Sequence, residues 1–486
     1  MKMKKNLFMV AAVALIAAVS CNKMEDNNGF ENQEPSYFVE FTADAANEDE
    51  VSVPSSVQTK TTYNESSKKT LWEASDLISV NGKKFKIKEL SSDKLSAKFV
   101  NDENLGATFK YPFFAVYPYA AGMTFSGTSV SGIKVNDTPG LDTKGSNIAI
   151  AYQASGNVLS FKNVTSMIRF SVDMDGVTEV EISSNNGTEI AGTAEVSWNN
   201  GTPKVEKITN GSSTITIKGN FVKGTKYYVN VLPQTLATGI TIRLNGIIAK
   251  TKKTSVTLGR SKVMKSENLK LTESKWKLTG NFTDNGHSRW TPATGIKLYT
   301  EEGVWHVAKN VSMQTCKNDN GSTASKAEFK ITDGSWNTSF GAEWCDSNIG
   351  KWLTTNGNVN AFAAKGVYDI YFDETNARLM AAPAGSKALT VYSSWTKWYQ
   401  LWAWGDKTEI TSATGFSYPG PLRVGTENID NYEYAKWMLV IPANSWGEKM
   451  SFIFSKDNAA EKIQTSSTQV MTNVMFYNGE NAAFLK

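Results

Sequence analysis

The sequence predicts an all-β protein made of tandem β-sandwich domains in series. Segments with apolar residues at every second position recur along the chain, as in 214–218 and 368–372, and Gly, Asn, Ser or Pro bounds each of them. No long segment keeps the apolar period of an amphipathic helix. Short strands with frequent turns are typical of sandwiches, and a chain of 486 residues has room for three or four domains at roughly 150 residues each.

The first 20 residues have the features of a secretory signal. Three lysines lie among the first five residues, and 7–19 is an unbroken apolar run of 13 residues. A membrane-spanning helix needs roughly 20 apolar residues, so this run is too short to cross a bilayer. It ends in the small residues Ala18-Val19-Ser20, and Cys21 follows at once. We therefore predict a signal peptide over residues 1–20.

This segment resembles a bacterial lipoprotein signal, in which the cysteine after the cleavage site is lipidated. The resemblance implies a lipid anchor on Cys21, which would attach the protein to a membrane, and a polar linker over 21–36. The linker starts CNKMEDNNG and is similar to the export tag of Bacteroidetes lipoproteins. That likeness implies an outer-membrane protein that faces the cell exterior. An ordinary secretory signal that happens to contain a cysteine is the alternative.

Charge and the rarer residue types exclude several classes of function. The chain has 51 basic and 47 acidic residues and no basic stripe, so no nucleic-acid partner is expected. Cys316 and Cys345 could form one disulfide in an exported protein, but their pairing cannot be deduced from the sequence. The two histidines, His287 and His306, have no partner at the spacing of a metal site. No metal and no cofactor are expected.

A catalytic function is not expected either. No motif places a serine or cysteine beside His287 or His306. Glycoside hydrolysis needs two carboxylates about 5–10 Å apart; Glu328, Glu343 and Asp346 are candidates, but such residues are common and their spacing is not diagnostic. A catalytic barrel of about 250 residues with alternating helices has no place in this β pattern. We predict that the protein is not an enzyme.

Tryptophan divides the chain in two. Trp72 and Trp198 are the only tryptophans before residue 270, and the other 12 of 14 lie in the last 216 residues. We place candidate domain boundaries near Gly156, near Leu271 and within 382–386. These boundaries predict a series of four units. These units are 37–155, 156–272, 273–386 and 387–486.

The first two units contain short landmarks. Residues 70–80 read TLWEASDLISV, 115–119 read AVYPY, and 229–233 read VNVLP. These landmarks resemble those of the fimbrillin-like lipoproteins of Bacteroidetes, over residues 37–272. The resemblance implies two β-sandwich lobes, and we interpret Trp72 as a core residue at the end of a strand.

The segment 395–404, WTKWYQLWAW, concentrates four tryptophans and a tyrosine. Alternation along a strand would place Tyr399, Leu401 and Ala403 on an inward face. The opposite face would then carry Trp398, Gln400, Trp402 and Trp404. A sugar ring has an apolar C–H face and a rim of hydroxyls, so aromatic rings beside an amide suit both parts. The alternative is a strand between two sheets, with both faces in the core.

Further motifs follow this segment in order: SYPG at 417–420, FIFS at 452–455 and KIQT at 462–465. Together they resemble the starch-binding carbohydrate-binding modules of family twenty-six, over residues 388–486. The resemblance implies that Trp402 and Tyr418 stack on sugar rings and that Gln464 hydrogen-bonds to hydroxyls. Tyr418 stands where the family usually has tryptophan, and the loop before it is longer.

The third unit has its own series of motifs: WKLTGNF at 276–282, Trp290, AEFKI at 327–331, GSW at 334–336 and YDIYFD at 368–373. Their order resembles the repeated modules of the SusE/SusF starch-binding lipoproteins, in which two tryptophans and a lysine form the glucan platform. The matching positions are Trp290, Lys330 and Trp336. A core role stays open for each tryptophan alone, and we interpret Trp305 and Trp352 as packing residues.

These resemblances imply a non-catalytic cell-surface lipoprotein that binds starch, maltooligosaccharides or related α-glucans for capture and uptake. They further imply a partnership with an outer-membrane glycan importer and a surface amylase. The fimbrillin-like half would be a spacer. The alternative is a fimbrial or adhesive surface protein that binds host glycans or proteins.

Overall fold

The computed structural model describes residues 40–45, 62–64, 69–103, 105, 109–145, 147–343, 346–457, 461–466 and 468–485. The predicted signal peptide, Cys21, the linker over 21–36 and Cys345 lie outside the described residues. Strands make up 53% of the structure and helices 3%, and the strands form several separate sheets. This composition confirms the predicted all-β fold of tandem sandwiches.

Helix is limited, within the described ranges, to single turns. They are the α-helix α1 (Ile410–Ala413) and 3-10 turns at Pro292–Thr294, Asp346–Asn348 and Ala443–Ser445. No helix in the described part of the chain is long and apolar enough to cross a membrane.

The first part of the chain forms an eight-stranded sheet in the order β11-β1-β6-β5-β4-β7-β10-β12. The strands up to residue 163 are β1 (Glu40–Asp44), β2 (Thr62–Asn64), β3 (Lys69–Leu71), β4 (Leu77–Val80), β5 (Lys83–Leu90), β6 (Ser96–Val100), β7 (Phe113–Tyr117), β8 (Thr124–Ser126), β9 (Ser129–Val135), β10 (Ala149–Gln153), β11 (Val158–Ser160) and β12 (Lys162–Asn163). Trp72 is 1% exposed in the core beneath this sheet, and its Nε1 donates to the carbonyl of Ala43 at 3.2 Å. The interpretation of Trp72 as a core residue is confirmed.

The second unit is a sandwich of short sheets. Its strands are β13 (Ser166–Val172), β14 (Glu179–Ser184), β15 (Ala191–Asn199), β16 (Thr202–Ser212), β17 (Thr214–Lys218), β18 (Lys226–Val231), β19 (Gln234–Leu236), β20 (Ile240–Leu244), β21 (Ile247–Lys252), β22 (Val256–Leu258) and β23 (Val263–Leu269). They pair as β18-β13-β23, β17-β14-β20-β21 and β19-β22, while β16-β15 continues into β9-β8.

The predicted boundary between residues 155 and 156 is therefore corrected. Strands β8 and β9 precede it, but β9 pairs with β15 of the second unit, with Ile133 opposite Ala194, and β8 pairs with β9. Strands β11 and β12 follow it but belong to the sheet of the first unit. The two lobes exchange strands, and composition cannot indicate such an exchange because it depends on pairing between distant segments.

The third unit is one nine-stranded sheet in the order β28-β27-β24-β25-β26-β31-β32-β29, with β30 paired to β27. Its strands are β24 (Thr272–Gly280), β25 (Ile296–Glu301), β26 (Trp305–Ser312), β27 (Ala327–Thr332), β28 (Ser339–Phe340), β29 (Leu353–Thr354), β30 (Ala361–Ala363), β31 (Val367–Asp373) and β32 (Arg378–Pro383). Trp276 and Phe329 from one half of the sheet pack in one core with Ile370 and Leu379 from the other. The sheet thus folds over its own core.

The fourth unit is a sandwich of two sheets, β35-β36-β33-β40 and β34-β37-β38 with β39 beside β37. Its strands are β33 (Lys387–Ser393), β34 (Gln400–Gly405), β35 (Gly425–Ile429), β36 (Tyr432–Ile441), β37 (Lys449–Ser455), β38 (Lys462–Gln464), β39 (Gln469–Val470) and β40 (Val474–Tyr477). Leu401, Trp437 and Phe454 meet in the core between the sheets.

The second, third and fourth units also share one apolar core. Ile182 and Ile242 of the second unit join Val307 and Tyr371 of the third and Val440 of the fourth in one buried cluster. Strands β26, β31 and β36 each turn one face to the core of their own unit and the other to this shared core, as strict alternation allows.

Charged side chains are buried where these units meet. Arg243 is 1% exposed and donates to Glu181 Oε1 at 3.1 Å and to Asn473 Oδ1 at 2.6 Å. Lys387 Nζ lies 2.5 Å from the other oxygen of Glu181. Burial alone would raise the pKa of Glu181, but Arg243 and Lys387 together hold this pKa below its ordinary value. These contacts tie the second unit to the fourth.

A second charged cluster joins the three units on another side. Lys253 of the second unit lies 2.6 Å from Glu302 of the third and 2.8 Å from Glu427 of the fourth. Lys436 completes the cluster with contacts of 3.1 Å to Glu302 and 3.2 Å to Glu427. Together with the shared core, the two clusters fix the three units relative to one another.

Candidate carbohydrate-binding sites

The three predicted site residues of the third unit come together around one surface depression of about 300 Å³. Trp336 is 51% exposed, Trp290 and Lys330 are half-buried, and all three line the depression. The ring centroids of Trp290 and Trp336 are 6.3 Å apart and the ring planes are inclined by 40°. We call this group, Trp290, Lys330 and Trp336, the first platform.

Strand β27 supplies the polar side of the first platform. Phe329 is in the core, so its neighbours Glu328 and Lys330 project from the opposite face into the depression. Lys330 Nζ donates to the carbonyl of Gly357 at 2.7 Å, and Glu328 Oε2 accepts from Asn360 Nδ2 at 3.1 Å. The sequence did not indicate Asn360, because its place at the site depends on the pairing of β30 with β27.

An unusual backbone conformation holds Trp290 in the first platform. Trp290 has a φ of +49°, in the left-handed region that non-glycine residues seldom occupy, and its N–H donates to the carbonyl of Gly280 at 2.9 Å. A Cβ on Gly280 would lie 2.2 Å from the carbonyl oxygen of Glu328, so only glycine fits there. A residue held in an unfavourable backbone conformation beside an exposed groove is typical of a functional site.

The predicted rings of the fourth unit also meet. Trp402 of β34 is half-buried, Tyr418 is 43% exposed, and their ring centroids are 5.7 Å apart at an interplanar angle of 65°. Trp402 is directly opposite Ile453 of β37, which is opposite Gln464 of β38. Directly opposite residues of an antiparallel sheet share a face, so Gln464 projects on the side of Trp402 about 10 Å away. We call Trp402, Tyr418 and Gln464 the second platform.

The turn that carries Tyr418 is pressed onto β34. Gly420 has a φ of +98°, and a Cβ there would lie 2.0 Å from the carbonyl oxygen of Leu401. The Leu401 N–H donates to the carbonyl of Pro421 at 3.2 Å. Lys462, whose Nζ lies 5.7 Å from the centroid of the Tyr418 ring, adds a cation that sequence reasoning missed.

The prediction that Trp398 belongs to the binding face is wrong. Trp398 is 2% exposed in the core of the fourth unit, and its Nε1 donates to the carbonyl of Gly479 at 2.8 Å. Tyr399, predicted to point inward, is 45% exposed, with the Arg423 guanidinium 4.5 Å from its ring centroid. The cause is the same for both: the regular strand begins only at Gln400, so alternation does not apply before it.

Trp404 and Gln400 share the side of Trp402 but differ in their surroundings. Trp404 is half-buried opposite Ser451. Gln400 lines a separate pocket between the third and fourth units, where its Oε1 is buried and accepts no hydrogen bond from any described residue. Trp305 and Trp352, interpreted as packing residues, pack against each other at the wall of that pocket, with ring centroids 5.3 Å apart and ring planes inclined by 50°.

Replacing Trp398 with Phe is expected to lower the free energy of unfolding by about 1–3 kcal/mol, because the buried carbonyl of Gly479 loses its donor and a small cavity opens. The affinity of the folded protein for a ligand at the second platform should stay unchanged. Urea unfolding and a binding titration on the same preparation check both. A loss of affinity without a loss of stability would contradict the buried position of Trp398.

Neither histidine has an arrangement suited to known acyl-transfer chemistry. His306 Nδ1 lies 2.9 Å from Ser274 Oγ and its Nε2 lies 3.2 Å from Glu374 Oε2. In serine hydrolases the serine meets Nε2 and the carboxylate meets Nδ1, so the roles here are reversed. Burial lowers the pKa of His287, and neither of its ring nitrogens contacts a polar partner among the described residues. That the protein is not an enzyme stays a prediction.

The structure describes both histidines and one of the two cysteines that follow Cys21. No group of three or more His, Cys, Asp or Glu side chains there could hold a metal ion. Cys316 is a buried free thiol whose pKa is raised by burial, while Cys345 lies outside the described residues.

No known protein family matches the chain, and no curated protein matches it. Among solved structures, the chain is similar to a Bacteroides ovatus protein provisionally described as a cell adhesion protein, with 10% identity and a TM-score of 0.25 over 48% of this chain and 89% of the other. It is also similar to the TIE protein of Bacillus anthracis, with 9% identity and a TM-score of 0.13 over 84% of this chain and 66% of the other. At TM-scores this low, neither likeness bears on fold or function.

Proposed function

We propose that the protein binds starch-like α-glucan through the first and second platforms and performs no chemistry on it. The observation that carries this proposal is that two sets of residues, each expected from a resemblance to starch-binding modules, lie together on exposed, ring-lined surfaces with polar groups beside the rings. In each platform the rings are inclined rather than coplanar. Inclined rings suit a curved chain such as an α-glucan better than a flat, ribbon-like one.

The expected strength of each platform is modest. An aromatic ring that removes ~50 Å² of sugar from water contributes on the order of 1 kcal/mol at ~25 cal/mol per Å². Two rings with their hydrogen bonds, less the cost of ordering the sugar, give affinities in roughly the micromolar to millimolar range. Two platforms on one rigid body can engage one polymer together and gain avidity without new contacts.

The location follows from the N-terminal resemblance. A lipid on Cys21 would hold the protein at the outer membrane, facing the cell exterior, and the fimbrillin-like lobes would act as a spacer. An outer-membrane glycan importer and a surface amylase are the proposed partners, since a captured polymer must be cut and taken up. The alternative of an adhesive surface protein has the same anchor but a different ligand.

Native affinity electrophoresis separates these two functions. Amylopectin in the gel should retard the protein, while hydroxyethyl cellulose and mucin should not. The Trp336→Ala/Trp402→Ala double variant should run freely in amylopectin, and Tyr432→Ala, which removes a 69% exposed ring outside both platforms, should be retarded like the parent protein. Retardation by mucin alone would support the adhesive function and overturn the proposal.

A further inference from the structure

A pocket of about 270 Å³ lies between the third and fourth units, and we call it the junction pocket. Trp352 and Arg378 of the third unit face Gln400 and Phe416 of the fourth across it. The Trp352 N–H donates to the carbonyl of Thr414 at 3.0 Å, which joins the two units at the rim. The shared core and the buried ion pairs make this a fixed pocket and not a gap between mobile domains.

Two polar groups of the junction pocket, on Gln400 and Arg378, can form hydrogen bonds with a ligand. The Oε1 of Gln400 is buried without a donor among the described residues, and a buried acceptor is destabilising unless a partner reaches it. The Arg378 guanidinium lies 5.0 Å from the Phe416 ring centroid and forms no ion pair within the described part of the chain. Asp373, the residue opposite it across the strands, is instead engaged by Asn376 through bonds of 3.0 and 2.7 Å.

The junction pocket lies beside the second platform. Gln400 and Trp402 are two residues apart on β34 and project on the same side, so their Cα atoms are about 7 Å apart. Gly420, which follows Tyr418 by two residues, also lines the pocket. A glycan on the rings of Trp402 and Tyr418 would therefore meet the pocket at one end. Trp305 and Trp352 also line the pocket, and the Trp305 ring, which is 3% exposed, closes the pocket where it lines it.

We infer that the junction pocket binds the terminal glucose unit of the α-glucan held by the second platform. Trp352 offers a ring to the apolar face of the sugar, Arg378 donates to its hydroxyl oxygens, and Gln400 Oε1 accepts from a hydroxyl. Pockets for drug-sized ligands have volumes of about 300–1,000 Å³. The junction pocket, at about 270 Å³, is slightly smaller, so it suits a ligand as small as one sugar unit. This inference rests on the proposed function and adds recognition of chain ends to it.

Comparing a linear glucan with a cyclic one tests the inference. Maltoheptaose and β-cyclodextrin both contain seven glucose units, but only the linear chain has ends. In the full-length protein with Trp336→Ala, which silences the first platform, Arg378→Met should weaken maltoheptaose binding on the order of fivefold and leave β-cyclodextrin binding unchanged. Gln400→Leu should have the same selective effect, and Tyr432→Ala should change neither affinity. Calorimetry gives the affinities, and thermal unfolding confirms that each variant is folded.

The two possible failures are distinguishable. Unchanged maltoheptaose affinity in Arg378→Met and Gln400→Leu, or an equal loss for both ligands, would overturn chain-end binding and leave the proposed function standing. If the variant with Trp336→Ala alone binds neither ligand, α-glucan binding by the second platform is overturned, and so is binding of a chain end by the junction pocket.

Discussion

Replacing Arg243 with Met is expected to destabilise the protein by about 3 kcal/mol. Arg243 holds Glu181 at 3.1 Å, Asn473 at 2.6 Å and the carbonyl of Ala388 at 3.3 Å, all within a buried junction of units. Its loss removes one buried donor from each of these three acceptors. The effect should lie at the low end of the roughly 3–5 kcal/mol typical of a broken buried pair, because Lys387 still neutralises Glu181.

Urea unfolding followed by tryptophan fluorescence measures this loss, since Trp305 and Trp437 are buried in or beside the shared core. Lys98→Met is the matched control, because Lys98 pairs with Glu89 on an exposed surface where ion pairs contribute little. A stability change in Arg243→Met as small as that of the control would contradict a stabilising role for the buried contacts of Arg243.

Replacing Trp402 with Ala is expected to weaken the binding of amylopectin by on the order of a hundredfold, because one polymer can then be held by only one platform. The binding of maltoheptaose to the first platform should stay unchanged, since Trp402 belongs to the fourth unit and the first platform to the third. A depletion assay with soluble amylopectin and a titration with maltoheptaose give the two numbers.

Tyr399→Ala is the control for the removal of a ring from the same segment, because Tyr399 is 45% exposed but outside both platforms. It should bind amylopectin like the parent protein. An equal, small loss for polymer and oligosaccharide in Trp402→Ala would mean that the platforms do not act together.

The sequence was sufficient for the parts of each site that depend on local order. The pairing of Trp402 with Tyr418 follows from a strand and a turn that are close in the chain, and Gly420 is required where the turn touches Leu401. The alternation rule failed at Trp398 and Tyr399 because it presupposes a regular strand, which begins only at Gln400. Trp398, one of four tryptophans in ten residues, was thus assigned to the wrong face.

The features that escaped prediction depend on contacts between distant segments. Asn360 and Lys462 reach the platforms through strand pairing, and Arg243 meets Asn473 from 230 positions away. The exchange of β9 into the sheet of β15 has the same origin. Neither the periodicity nor the composition of the sequence predicts these contacts, because every one of them depends on how distant strands pair and how separate sheets pack.

Calorimetric titration of the full-length protein with maltoheptaose tests the central claim most directly. The parent protein should show two binding sites, Trp336→Ala and Trp402→Ala should show one each, and the double variant should release no heat. Thermal unfolding of the double variant should match that of the parent protein, because Trp336 is half exposed and Trp402 half-buried at the surface. Undiminished maltoheptaose binding by the folded double variant, or no binding by the parent protein, would contradict α-glucan capture by these two platforms.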